Sequence, residues 1–396
     1  MVHNTKGTSR RDILKAAGTA AATTGLMGMA SASEGNTVEV NVGFTGKSGR
    51  RAAASAAANV TREFAFDAMT IEVNENAIQG LQRRGDVRYV EANGTMHALA
   101  PKGGNGGSGG TMAAQQLPWG VDRVDAEVAH ANGYTGAGAD IAILDTGIDS
   151  NHPDLVDNLG TGKAFTKAKG NFAENWDDDN DHGTHCAGSA GAVNNGEGVV
   201  GVSTEATLHA VKVLGKRGSG SFSDIAAGVE WTADQGYDVG SMSLGASSGS
   251  QTLADACQYA VDKGTFLVGA AGNSGPCTDC VGYPAAYDTV MAVGSTTSSD
   301  GLSSFSSTGP EVEIAAPGSN IYSTIPGGSY DTFSGTSMAT PHVAGAAGLL
   351  AATGSSNTQI RSQLTSTAED IGLASNESGS GLLDAAAAVG VDSSDN

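Results

Sequence analysis

The strongest constraint on this chain is an alternation. The runs Asp140–Leu144, Thr207–Val213, Val239–Met242, Thr265–Ala270 and Thr289–Val293 are short and apolar, and helical patterns at 183–193, 223–234, 252–262 and 337–352 lie between and after them. Short apolar strands that alternate with helices predict an α/β fold in which a mostly parallel sheet is covered on both faces, in three layers. No internal repeat interrupts the pattern.

Polar residues punctuate this frame at the positions where such folds place chemistry. Ile141-Ala142-Ile143-Leu144-Asp145 is a buried strand that ends on an acid, and functional groups of open parallel sheets sit at the carboxyl ends of strands. By itself an Asp after a strand is more often a helix cap or a turn residue. Asp181-His182-Gly183-Thr184-His185-Cys186 opens a helix of small residues. His182 is a candidate general base, and the competing reading joins His182, His185 and Cys186 in a metal site. Zinc wants three or four convergent ligands, and no partner motif is present. Ser334-Gly335-Thr336-Ser337-Met338-Ala339 begins the apolar helix that continues through Val343–Leu350. Ser337 reads as a cap or as a nucleophile, with the free N–H groups of a helix start favouring negative charge beside it. Pro341 in that first turn removes no intrahelical bond. Asn273 follows another apolar strand, where its amide can donate to an oxyanion, although the Gly-Asn dipeptide alone reads as a turn.

Taken together the motifs are specific. The order Asp145, His182, Ser337 differs from the Ser-first order of α/β-hydrolases and the His-first order of chymotrypsin-like enzymes. It resembles the subtilase family from about Gln115 to Ala388, and within that family the haloarchaeal halolysins. The resemblance implies the subtilisin-like form of the three-layer fold, with Asp145 as orienting acid, His182 as base, Ser337 as nucleophile and Asn273 as oxyanion donor. It also implies a peptide-binding cleft walled by Gly218-Ser219-Gly220 and Ser243-Leu244-Gly245. Ala270, Gly272 and Gly282 would line the specificity pocket, left open by Gly282 for a large apolar residue before the cut. A structural Ca2+ is implied, with side-chain oxygens from Gln115, Asp154 and Asn195 and carbonyls from Val193, Glu197 and Val199. The run Asp177-Asp178-Asp179 offers either a further ion site or a solvated acidic surface.

The N-terminal region has its own organisation. Ser9-Arg10-Arg11-Asp12, a weakly apolar run and Ala30-Ser31-Ala32 resemble a twin-arginine export signal over 1–32. Residues 33–99 read as a small α+β domain, with strands at 37–44, 68–73 and 87–91 and helices near 51–60 and at 77–84. The resemblance makes it the intramolecular propeptide inhibitor. Val90-Glu91 and His97-Ala98-Leu99 align with the tail that enters the cleft, so self-cleavage is expected between Leu99 and Ala100. A Gly-rich linker follows over 100–114, and the peptidase domain covers 115–396.

Charge narrows the partners. The formal net charge is −21, and residues from Ala100 onward hold 10 basic and 33 acidic side chains. That disfavours nucleic acid. It suits a high-salt habitat, where screening shortens to about 3 Å at 1 M salt. No run reaches the roughly 18–20 apolar residues of a membrane span. The expectation is a secreted, extracellular monomer acting on proteins and peptides, with no membrane partner. Of the four cysteines, Cys277 and Cys280 are expected to pair, Cys257 to be a buried hydrophobe, and Met338 to be sensitive to oxidation. Three readings compete with the endopeptidase: a catalytically silent binding relative, a serine esterase, and a processing peptidase for basic residues.

Overall fold

A computed structural model describes residues 37–99 and 114–393. The predicted signal, Ala100 and nearly all of the predicted linker lie outside the described residues. Its contacts divide the chain into two units. One runs to Gly94 and includes Ser250–Thr252, and the other holds Thr95–Gly249 and Leu253 onward.

The smaller unit is a four-stranded antiparallel sheet with two helices. In chain order these are β1 (Thr37–Phe44), α1 (Gly46–Ala56), β2 (Ala57–Phe64), β3 (Ala68–Asn74), α2 (Glu75–Gln82) and β4 (Val87–Ala92), with strand order β2-β3-β1-β4. Val40, Val42, Phe44, Met69, Ile71 and Val73 form its core with Ile78 and Leu81 of α2. Two expectations are corrected here. The helix predicted near 51–60 starts at Gly46 and stops at Ala56, and β2 is an additional strand. The Ala run favours helix, but Asn59-Val60-Thr61 turns extended at the sheet edge. There β2 is largely exposed, so it lacks the apolar alternation that marks a half-buried strand.

The larger unit begins with β5 (Thr95–Ala98), α3 (Trp119–Arg123), α4 (Ala126–Ala131), β6 (Asp140–Asp145), β7 (Lys163–Ala164), α5 (His182–Gly191), β8 (Thr207–Lys212) and β9 (Ser219–Ser221). It continues with α6 (Phe222–Gln235), β10 (Val239–Met242), β11 (Leu244–Gly245), α7 (Gln251–Lys263), β12 (Phe266–Ala270) and β13 (Met291–Thr296). Then come β14 (Val312–Pro317), β15 (Ile321–Ile325), β16 (Ser329–Phe333), α8 (Thr336–Ala352) and α9 (Asn357–Ser366). Seven strands form the central sheet in the order β14-β13-β12-β10-β6-β8-β7, and all its pairings are parallel. The predicted α/β architecture is therefore present. Within the sheet the chain starts at β6, goes to the edge at β7, fills the gap with β8, and then crosses past β6 to β10. Asp145 thus ends the strand at a topological switch point, where crevices form in such sheets.

Two helices of small residues bring the site together. Every residue of α5 is buried, as are Thr336–Leu350 of α8. Glycine permits the close approach. A Cβ at Gly345 would lie 2.7 Å from the Ala190 carbonyl, and one at Gly188 would lie 2.3 Å from Thr324 Oγ1. Packing of Ile141, Ile143, Val343 and Leu349, all at most 1% exposed, contributes about 1.5–3 kcal/mol per side chain.

Candidate active site

The three motif residues converge from three elements. Asp145 ends β6, His182 begins α5 and Ser337 lies in the first turn of α8. Pro341, expected in that first turn, lies inside the helix instead, and the Ser337 carbonyl it leaves without an intrahelical donor accepts from Ser243 Oγ at 2.9 Å. His182 Nδ1 sits 2.8 Å from Asp145 Oδ1 and 3.0 Å from Oδ2. The Thr146 N–H donates to Asp145 Oδ1 at 2.7 Å and holds the carboxylate in place. Both side chains are buried. Burial opposes a charged imidazole, but the Asp145 carboxylate outweighs it and holds the His182 pKa well above its ordinary 6.5. His182 Nε2, the other nitrogen, has no hydrogen-bond partner among the described residues.

Ser337 Oγ lies 3.2 Å from the carbonyl oxygens of both Leu99 and Ser243, either of which can accept its single proton. Leu99 arrives at the end of a strand. β5 is the middle strand of a three-stranded antiparallel sheet, β11-β5-β9. Met96 pairs with Gly220, His97 with Ser219 and Gly245, and Ala98 with Leu244. The Ala98 N–H donates to the Gly218 carbonyl at 2.8 Å, and the Leu99 N–H to the Ser243 carbonyl at 3.4 Å. The predicted wall residues 218–220 and 243–245 therefore flank a segment of this same chain, an instance of strand addition. A Cβ on Gly245 would meet Leu99 Cδ2 at 3.1 Å. Nearby, Gly282 N–H donates to the Ala271 carbonyl at 2.8 Å, a Cβ on Gly272 would lie 3.8 Å from Gly282 N, and Ala270 is buried at the end of β12.

Asn273 is fixed by its oxygen. Oδ1 accepts from Thr336 N and Thr336 Oγ1, both at 2.9 Å. An amide held by its oxygen presents its NH2 on the other side, and Nδ2 lies 3.1 Å from where a Gly335 Cβ would stand.

Cys186 lies behind the dyad, with Sγ 3.5 Å from the Ser337 carbonyl and 3.9 Å from His182 Nδ1. Burial raises its pKa. Asp145, His182 and Cys186 are close enough to suggest a metal triad, but His182 Nδ1 is engaged by Asp145. His185, part of the alternative metal reading, turns elsewhere. Its Nε2 bonds the Ile321 carbonyl at 3.0 Å and its ring stacks on Phe333. Met338 is buried beside the nucleophile candidate, Cys277 and Cys280 are joined in a disulfide with Cα atoms 6.2 Å apart, and Cys257 is a buried free thiol.

Such an arrangement resembles an acyl-transfer site, and the comparisons agree. Residues 136–385 match the model described as the Subtilase family. This chain belongs to the subtilase family. It is 43% identical over 322 residues to an alkaline protease of Alkalihalobacillus alcalophilus, covering 81% of this chain and 78% of that protein. It is 48% identical over 277 residues to Subtilisin Savinase of Lederbergia lenta, covering 69% of this chain and 99% of that protein. Subtilisin E of Bacillus subtilis (strain 168) is 41% identical over 318 residues, covering 79% and 78%. The subtilase is a subtilisin-like serine endopeptidase, a peptide-bond hydrolase. No helix among its described residues is long and apolar enough to cross a membrane.

Several of the proposed calcium ligands lie together in this subtilase, but Gln115 presents its amide nitrogen there rather than the expected oxygen, which accepts from the Gly196 N–H at 3.3 Å. The carbonyls of Val193 and Val199 face Gln115 Nε2 at 2.9 and 3.2 Å. Asp154 is fully buried, with Oδ2 accepting from Val199 N at 2.8 Å and Oδ1 3.5 Å from Asn195 Nδ2. Asn195 Oδ1 accepts from the Glu197 N–H at 2.9 Å. Among the described residues Asp154 forms no ion pair. A buried carboxylate beside converging carbonyls, compensated by neutral donors alone, is a donor set that fits a hard divalent cation.

The Asp177-Asp178-Asp179 run is not a solvated surface. Asp177 accepts from Ser150 N and Glu174 N at 2.9 Å each, and Asp178 from Thr184 N and Oγ1 at 2.9 and 2.7 Å. Asp179 pairs with Lys212 at 2.6 Å. These carboxylates anchor the loop before His182, a role the sequence pattern did not single out.

Proposed function

We propose that this subtilase is a secreted, calcium-stabilised endopeptidase of broad specificity, matured from a precursor by its own active site. The observation that carries the reading is Leu99, whose carbonyl lies 3.2 Å from Ser337 Oγ while its strand runs between β9 and β11. A bond held this way is presented as a substrate. Ser337 attacks the carbonyl carbon of Leu99 as His182 takes the hydroxyl proton. Asp145 holds the imidazole and stabilises its charge. Asn273 Nδ2 and the Ser337 N–H receive the oxyanion. His182 then protonates the departing Ala100 amine, and water hydrolyses the acyl-enzyme.

Backbone pairing along β9 and β11 favours peptides without demanding a sequence, so substrates are broad. Leu99 against Gly245 favours a large apolar residue before the cut. Gln115, Asp154, Asn195 and the carbonyls of Val193, Glu197 and Val199 would hold one Ca2+, which supplies structural charge and takes no part in the chemistry. The acidic balance and the signal-like N-terminus support twin-arginine export, a saline habitat and kinship with halolysins. Hydrolysis of apolar, dibasic and casein substrates tests the reading. Preference for the dibasic peptide, or activity on esters alone, counts against it.

A further inference from the structure

Among the described residues Lys212 is the largest side chain that is fully buried, at the end of a strand whose other polar members are Thr207 and His209. Its Nζ donates to two acceptors, the Thr146 carbonyl and Asp179 Oδ1. Thr146 immediately follows Asp145, and Asp179 comes three residues before His182. We infer that the Lys212–Asp179 pair is a positioning clamp for the peptidase reaction, in which one ammonium ties the segment carrying Asp145 to the segment carrying His182. The inference rests on the reading of those two residues as orienting acid and base.

Further bonds stiffen both ends of the clamp. Lys212 is the register partner of Asp145 across β6 and β8. Thr146 N–H donates to Asp145 Oδ1 at 2.7 Å, while Thr146 Oγ1 accepts from Gly183 N at 2.9 Å. On the other side, Asp179 Oδ2 accepts from Lys169 N at 2.6 Å. Displacement of Thr146 or of the loop before α5 would therefore move one half of the dyad against the other. A buried ion pair is an inefficient source of stability, because apolar residues of similar size often serve as well. This pair has a geometric use that an apolar pair lacks.

Lys212→Met alone strands a buried carboxylate and risks failure to fold, so the informative variant is Lys212→Met with Asp179→Asn. Wild type and double variant, each matured to a single mass, are compared by thermal unfolding and by kcat and KM on an apolar peptide anilide across pH. The clamp predicts cooperative unfolding near the wild-type midpoint and kcat lower by about ten- to a hundredfold, the cost of a misplaced group, with KM within about twofold. It also predicts that the acid limb of the profile moves to lower pH, as His182 loses part of its contact with Asp145. The other titratable neighbours of His182, Cys186 and His185, are unchanged. A folded double variant with wild-type kcat overturns the clamp. So does a rise in KM alone, or a kcat loss that matches the loss of folded protein with the acid limb unmoved. An inactive wild type instead refutes the reading of the dyad.

Discussion

Asn273→Asp separates the two jobs of one amide. The oxygen of Asn273 anchors the start of α8 through Thr336 N and Oγ1, at 2.9 Å each. The nitrogen faces the turn at Gly335. An Asp side chain has the same shape and keeps both anchors, but it replaces a donor with a negative oxygen. Losing one oxyanion donor costs about 10²–10³ in kcat, or about 2.7–4 kcal/mol, and repulsion of the developing charge pushes the loss to the top of that range. The ground-state carbonyl is neutral, so KM changes little. The assay is steady-state hydrolysis of a peptide anilide, paired with thermal unfolding. The expected result is a kcat drop near 10³ with KM and midpoint close to wild type. A loss of less than about tenfold, or a loss confined to KM, would refute the oxyanion role. Thr336→Val removes one of the two anchors and should cost only a few-fold in kcat.

The raised pKa of His182 predicts an acid limb of kcat/KM above the ordinary 6.5, because the base must be neutral. The stabilisation from its protonated form is full below about pH 6.5 and fades as pH rises through the elevated pKa, which unfolding across pH reads directly. Asp145→Asn should lower kcat by about 10⁴, with the fold intact by circular dichroism. Burial pushes His185 down to about 3 and His342 down to about 4, so stability should fall as pH drops from about 6.5 toward those values. His342→Gln should flatten that acid slope. A chelator should lower the unfolding midpoint of the wild type, consistent with about 4 kcal/mol at a thousandfold excess of Ca2+ over Kd, and Asp154→Asn should abolish the calcium response.

Much of this was legible because the chemistry sits at boundaries. Asp145 ends an apolar strand, and His182 and Ser337 open helices of small residues, so each stands out where periodicity changes. The cleft walls needed the family resemblance, since Gly218–Gly220 and Ser243–Gly245 are too short to read as strands. Lys212 stayed hidden for a physical reason. Within Thr207–Lys212 it looks like an ordinary polar residue, and only the fold brings Asp179 and the Thr146 carbonyl to its ammonium. The acidic run before His182 has the composition of a solvated surface, and backbone N–H donors that bury it leave no trace in sequence. β2 was missed because an exposed edge strand carries little apolar alternation.

The central claim is that Ser337 cuts this chain's own Leu99–Ala100 bond. Full-length wild type and Ser337→Ala, refolded in concentrated salt with Ca2+, can be followed by intact mass. The account predicts that the wild type sheds its first 99 residues while the Ser337→Ala chain stays whole. It is contradicted if both chains fold and both stay whole, or if both are cut at the same bond at the same rate.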